Sequence, residues 1–158
     1  MPQRLSDVPL VELVPETRHW NEGNGIDLRS WIGCVGNIEH AIGYAELFWP
    51  DFILFDDCVF FAGKFSEEGY FGFLKHSGGN KQATEGVMNH WHILDLFFSD
   101  STVPPMKEQV IYLGRLLKDI WEVKLRHDFP ERLFVVSFPE GPTDDLSDYE
   151  VTFYQKRN

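Results

Sequence analysis

Apolar residues recur at helical spacing in the first third of the chain and form one stripe. Its members are Trp31, Cys34, Val35, Ile38, Ala41, Ile42 and Ala45. Asp27 precedes the stripe as a typical N-cap residue, and Pro50 follows it and stops a helix. The pattern therefore predicts a helix from about 28 to 48 whose apolar stripe points into the core.

Three glycines interrupt this predicted helix, at positions 33, 36 and 43. Each interior glycine costs about 1 kcal/mol relative to alanine, so we expect a reason for their presence. One interpretation is the close approach of another helix or strand. A second is a glycine-floored ligand groove beside His40 and Tyr44, and a third is that the helix breaks near Gly36.

Three more helices are predicted further along the chain. The first begins at Ser66 and ends near His76, and the second runs from about 81 to 98. Two prolines open the third helix, which runs from 106 to about 127 and is apolar on one face and charged on the opposite face.

Strands are predicted before and after these helices. Residues 53–55 and 58–62 indicate one pair joined by a turn at Asp56 and Asp57, with a single bent strand as the alternative. Residues 132–138 and 149–156 indicate another pair. The long loop 139–148 joins the second pair into an antiparallel C-terminal β-hairpin. We predict an α+β fold, with about four helices packed on one face of a small, three- to four-stranded antiparallel sheet.

The length of 158 residues suits a single domain. Residues 1–25 are predicted to form an extended N-terminal arm, and residues 26–158 a single α+β domain. The chain does not open on a basic region followed by an apolar core, and no apolar run is long enough to cross a bilayer, so a cytoplasmic location is expected. Cys34 and Cys58 lie in apolar contexts, which indicates buried free thiols.

The formal net charge is −11, and the stretch from Ser30 to Gly63 contains no lysine and no arginine. This charge argues against nucleic acid or an anionic membrane as a partner and favours a basic protein surface. Acidic groups would steer such a partner, and the aromatic residues mixed with them would anchor it. We therefore interpret the chain as a non-catalytic acidic binding protein, of the immunity or antitoxin type, that inhibits a basic protein partner.

Two regions are candidate partner-binding surfaces. The first is the end of the helix predicted over 28–48 together with the turn that follows it, and the second is the acidic loop within 139–148. The candidate residues are Glu46, Trp49, Asp51, Asp56, Asp57, Asp144, Asp145 and Asp148.

His90, His92 and Asp95 form the densest group of reactive side chains. On a helix the two histidines would point about 200° apart and could not bind one ion, so we expect no metal site, no cofactor and no catalytic residue. The alternative is a metal- or small-ligand-binding enzyme that uses this group, with His40 as a further candidate ligand. The sequence leaves the oligomeric state open.

Overall fold

The computed structural model describes residues 9–97, 103–139, 141 and 143–157. Its α-helices are α1 (Leu10–Leu13), α2 (Leu28–Val35), α3 (Ile38–Phe48), α4 (Glu67–His76), α5 (Lys81–Met88) and α6 (Lys107–Asp128). Its strands are β1 (Phe52–Phe55), β2 (Cys58–Phe61), β3 (Trp91–His92), β4 (Phe134–Ser137) and β5 (Glu150–Gln155). Short 3-10 helices lie at Pro15–His19, Ala62–Lys64, Ile93–Leu96 and Leu146–Asp148.

The predicted α+β class is confirmed, but the strands form two small antiparallel sheets and not one. β1 and β2 pair as a hairpin, and the second sheet has the order β3-β5-β4. The predicted C-terminal hairpin is β4–β5, with Val136 opposite Phe153. The prediction of about four helices on a single sheet is corrected, because the described residues contain six α-helices.

The turn between β1 and β2 consists of Asp56 and Asp57, as predicted. Their φ angles of 47° and 63° are left-handed, which a two-residue type I′ hairpin turn requires. Aspartate adopts this region more readily than most residues because its short side chain bonds locally. The turn fixes the register in which Phe55 lies opposite Cys58.

Glu85 of α5 and the C-cap residue of that helix, Asn89, connect the two sheets. The Glu85 carboxylate accepts hydrogen bonds from the backbone N–H groups of Val59 in β2 (2.8 Å) and Gln155 in β5 (3.1 Å). One turn later, the Asn89 side chain donates to the Val59 carbonyl at 2.8 Å and accepts from the Phe61 N–H at 3.3 Å. Glu85 and Asn89 are fully buried. They satisfy strand-edge groups that would otherwise be unpaired in the core.

The main core lies between α6 and the two sheets. The apolar face of α6 predicted from the sequence supplies Val110, Leu117, Trp121 and Leu125 to it. The Trp121 indole N–H donates to the Leu47 carbonyl at 2.9 Å and so ties the end of α3 to this core. Gly114 allows α6 to approach the Phe138 ring, which a Cβ at this position would overlap.

The helix predicted over 28–48 is two helices, because it breaks at Gly36. This glycine is the extended C-cap of α2, and the Asn37 side chain then caps α3 by accepting from the Glu39 N–H at 2.7 Å. Asp27 caps α2 as predicted, accepting from the Ser30 N–H at 3.0 Å.

The apolar stripe of this region does not point into the core, contrary to the prediction. Neither α2 nor α3 contains a buried residue, and Cys34 is exposed, whereas Cys58 is buried as expected. The break divides the stripe between two helices, and α3 packs against the core through its last two residues, Leu47 and Phe48.

The helix predicted from 81 to 98 ends at Met88, so the prediction of helix beyond this residue is wrong. Phe98 lies outside the described residues. Trp91 and His92 follow the end of the helix and pair with β5.

The start of the chain also differs from an extended arm in its described part, where α1 and a 3-10 helix form. The Gln109 side chain donates to the Leu13 carbonyl at 2.7 Å, which joins this segment to α6.

Candidate functional site

Both α2 and α3 expose large apolar side chains. Ile38 is 79% exposed and Ile42 is 69% exposed, and Ile32 and Val35 on α2 are also exposed. We call these four residues the α2–α3 face. The stretch without lysine or arginine, 30–63, contains all of it. A folded chain rarely leaves neighbouring apolar side chains in water unless they contact another molecule.

A cavity of about 490 Å³ opens beside α3. His40, Gly43 and Tyr44 line it, so the structure has an opening where the sequence suggested a groove, although Gly33 and Gly36 are not part of its wall. Its remaining wall is mostly apolar and aromatic, with three charged side chains. The apolar residues are Leu47, Pro50, Phe61, Trp91, Leu96, Phe97 and Trp121, and the charged ones are Glu39, Glu46 and Lys64.

The aromatic contacts of the cavity wall hold its side chains in place. The Tyr44 ring lies 6.4 Å from the His40 ring and packs edge-on against Phe97 at 6.0 Å. On the other side, Lys64 Nζ donates to the His90 carbonyl at 2.9 Å and lies 4.3 Å from the centre of the Trp91 ring. The cavity therefore presents a basic group and two carboxylates around an aromatic floor.

Trp49, at the end of α3, is half exposed and already has neighbours within the chain. Lys124 Nζ lies 5.4 Å from the centre of its ring, and the His127 ring lies 6.1 Å away. Glu46 belongs to the cavity wall, and Asp51 is exposed at the start of β1. The structure thus places these three candidate residues around the same helix end.

Asp56 and Asp57 are exposed but engaged with other side chains. Tyr70 Oη donates to Asp56 at 2.6 Å and Lys81 Nζ pairs with it at 2.9 Å, which together hold the pKa of Asp56 below its ordinary value. Arg132 and Arg157 pair with Asp57 at 2.7 and 2.9 Å and lower its pKa in the same way. Much of the charge of this turn is therefore neutralised within the chain.

The second acidic region is a locally bonded loop. The Asp145 side chain accepts from the Ser147 N–H at 2.8 Å, which lowers the pKa of Asp145, and Asp148 accepts from the Thr143 hydroxyl at 2.8 Å. Asp144 is exposed. Lys107 Nζ on α6 donates to the Thr143 carbonyl at 2.6 Å and anchors the loop.

The histidine group differs most from the prediction. His90 and His92 are not on a helix but on an extended segment, and their ring centres lie 5.3 Å apart. Asp95 is exposed in the following 3-10 helix, and neither it nor His40 belongs to the cluster of potential ligands. The third member is Glu150, which is opposite His92 in the β3–β5 ladder. Sequence reasoning missed Glu150, since only the strand pairing brings it there.

Comparisons with protein-family models, with curated proteins and with solved structures give no match for this chain. Among the described residues, none of the helices combines the length and the apolar character that a membrane span needs.

Proposed function

We propose that the chain is a non-catalytic acidic binding protein that docks a basic protein partner on α2 and α3, as an inhibitor of the immunity or antitoxin type. One observation carries the proposal: both helices have apolar side chains at regular spacing, and neither buries a residue. Burying apolar surface is the main driving force of association. The α2–α3 face provides such surface without any change of conformation.

Charge complementarity supports a basic partner over an acidic or neutral one. Glu39 lies next to Ile38 in the first turn of α3, and Glu46 lies near the end of the same helix. No basic residue lies between 30 and 63 in the sequence, and Lys64 is the basic side chain that lines the same cavity as these carboxylates. The net charge of −11 adds a long-range attraction. A partner with apolar side chains surrounded by lysine and arginine would match this surface.

The cavity lies on the opposite side of α3 from Ile38 and Ile42, because His40, Tyr44 and Leu47 follow them by about half a helical turn. It could receive an anchor side chain only from a partner that wraps around this helix. Tight protein interfaces depend on a few large side chains that fill pockets. An apolar side chain of the partner would enter between Tyr44 and Trp121, and a neighbouring lysine or arginine would pair with Glu39 or Glu46, which line the same opening.

Co-purification of the tagged full-length chain from its own cells tests this proposal. We expect a basic protein to co-purify in stoichiometric amount and to dissociate as salt is raised. The double variant Ile38→Asp, Ile42→Asp should lose it. The matched control is Val123→Asp, which changes an exposed apolar residue of α6 and should keep the partner. A reading frame beside the gene that encodes a basic, toxin-like protein would be the first partner to co-express.

Three results would contradict the proposal. The first is a partner that is acidic, and the second is a partner retained by the double variant at the wild-type level. The third is self-association of the purified chain through the same face, measured by light scattering and abolished by the double variant. Circular dichroism of each variant shows whether the fold is kept, since an exposed substitution should leave it unchanged.

The cavity also favours a second candidate function, the binding of a small apolar ligand. The cavity wall is mostly apolar and aromatic, with Phe61, Trp91 and Phe97 among its residues. Such a wall would suit a small apolar ligand. Gly43→Leu would place a side chain in the opening, since a Cβ there meets no atom within 4 Å. It should abolish a ligand-induced thermal shift, and an unchanged shift would exclude this site.

A further inference from the structure

His90, His92 and Glu150 form a compact cluster on the second sheet. His90 follows the C-cap of α5 and His92 lies in β3, with Trp91 between them, so the two imidazoles project from the same side of an extended segment. Glu150 is the cross-strand neighbour of His92, and its carboxylate lies 3.7 Å from His92 Nε2. One potential ligand atom from each residue lies within 4.8 Å of the others.

The hydrogen bonds of both rings fix which nitrogen carries the proton. His92 Nδ1 is 2.9 Å from the Ser147 carbonyl, and His90 Nδ1 contacts the Val87 carbonyl. A carbonyl oxygen can only accept a hydrogen bond, so Nδ1 is the donor in both rings. In the neutral imidazoles the Nε2 atoms therefore keep their lone pairs. Metal-binding histidines in proteins show the same arrangement, with the second nitrogen bonded to a carbonyl or carboxylate.

We propose that His90, His92 and Glu150 bind a divalent transition-metal ion, most simply Zn²⁺, through the two Nε2 atoms and one carboxylate oxygen. Two imidazoles and a carboxylate are a donor set that zinc accepts, leaving a fourth position for water or another ligand. One ring nitrogen of each histidine and one carboxylate oxygen of Glu150 lie within 4.8 Å of one another, so one point lies within about 2.8 Å of all three. Side-chain rotations that move each ligand atom by under ~1 Å would bring these atoms to zinc bonding distances of about 2.0–2.2 Å.

The surroundings of the cluster suit a site that an ion can enter and that would stabilise the fold. All three residues are half-buried, so the site is reachable from solvent while its backbone is held by the β3–β5 ladder. The Ser147 carbonyl that orients His92 belongs to the 3-10 helix Leu146–Asp148. A bound ion would link two segments that are distant in sequence, namely residues 90–92 after α5 and the start of β5. It would therefore raise the stability of the folded state.

This inference does not depend on the proposed docking of a basic partner, because the cluster shares no residue with the α2–α3 face. It also replaces the donor set suggested by the sequence. The alternative hypothesis from the sequence places Asp95 beside the histidines, whereas the fold supplies Glu150 as the carboxylate.

The experiment is a titration of the untagged, chelator-treated full-length chain with Zn²⁺ by calorimetry and with Co²⁺ by visible absorption. We expect one ion per chain and a higher thermal midpoint in the presence of zinc. His90→Ala, His92→Ala and Glu150→Gln should each weaken binding at least about tenfold to a hundredfold, since even residues that only orient metal ligands have effects of that size.

Two controls make the outcome decisive. His127→Ala removes another histidine that lies beside a carboxylate, 2.9 Å from Asp128, and should bind zinc as the wild type does. Asp95→Asn should also leave binding unchanged. Thermal melts without metal show whether each variant folds. The proposal is overturned if the chain takes up less than one ion, or if binding survives Glu150→Gln unchanged. It is also overturned if Asp95→Asn and not Glu150→Gln abolishes binding.

Discussion

Gln155 donates twice to the carboxylate of Glu85, with its side-chain Nε2 2.6 Å from Oε1 and its backbone nitrogen 3.1 Å from Oε2. The same carboxylate accepts from the Val59 N–H, and Arg157 Nη2 lies 3.6 Å from it. A side chain of α5 thus pairs with the strand edges of both sheets, as a neighbouring strand would elsewhere. The buried charge of Glu85 is explained by this structural role.

We expect Glu85→Ala to destabilise the fold by about 3–5 kcal/mol, because it leaves buried N–H groups and Arg157 without their acceptor. Glu85→Gln keeps the shape but turns a donor toward groups that also donate, and should cost about 1–3 kcal/mol. Urea denaturation gives both values. Glu122→Ala, which breaks a surface pair with Lys118 on α6, should cost under about 1 kcal/mol. A loss of that small size for Glu85→Ala would refute the bridging role.

Gly114→Ala separates packing from helix propensity. Alanine favours a helix by about 1 kcal/mol over glycine, but a Cβ at this position would overlap the Phe138 ring, so we expect a net loss of about 1–2 kcal/mol. Gly72→Ala in α4 is the matched control, since no atom lies within 4 Å of a Cβ there, and it should gain up to about 1 kcal/mol. Thermal midpoints that move in the same direction for both variants would contradict this packing.

The sequence predicted what local signals determine. The cap Asp27, the helix start near Ser66, the Asp56–Asp57 turn and the amphipathic α6 are all where the pattern placed them. The prediction was wrong where contacts between residues distant in sequence determine the structure. The helix expected to continue past Met88 ends there, and the Asn89 side chain bonds to backbone groups of Val59 and Phe61 about thirty residues earlier.

The predictions for the candidate site were wrong at two places, because contacts between distant residues decide both of them. An amphipathic stripe looks the same whether it faces the core or a partner, so the exposure of Ile38 and Ile42 could not be inferred. The link between His92 and Glu150 depends on the register of β3 with β5, which no local pattern specifies. An opening beside His40 and Tyr44 could be suggested because these residues and Gly43 share one face of α3, although Gly33 and Gly36 play no part in it.

The exposure of the α2–α3 face makes a direct prediction about stability. Ile42→Ala should change the free energy of unfolding by under about 0.5 kcal/mol, since the side chain is 69% exposed. Leu117→Ala, at a fully buried position of α6, should cost about 2–5 kcal/mol. Equal costs for the two variants, measured by urea denaturation, would show that Ile42 lies in the core after all, as the stripe alone suggested.

The ion pairs of Asp57 predict how stability depends on pH. Arg132 and Arg157 lower its pKa in the folded state, so its contribution is present above the pKa of the unfolded chain, about 3.9, and is lost as the pH falls through the lower folded value. Asp57→Asn should therefore be less stable than the wild type near pH 7, and the difference should shrink as the pH is lowered from about 5 towards 2. Asparagine tolerates the left-handed φ at this position, so the change tests charge and not backbone strain. Asp119→Asn, on the exposed side of α6, is the control. A constant difference between Asp57→Asn and the wild type over this pH range would show that the ion pairs do not stabilise the hairpin.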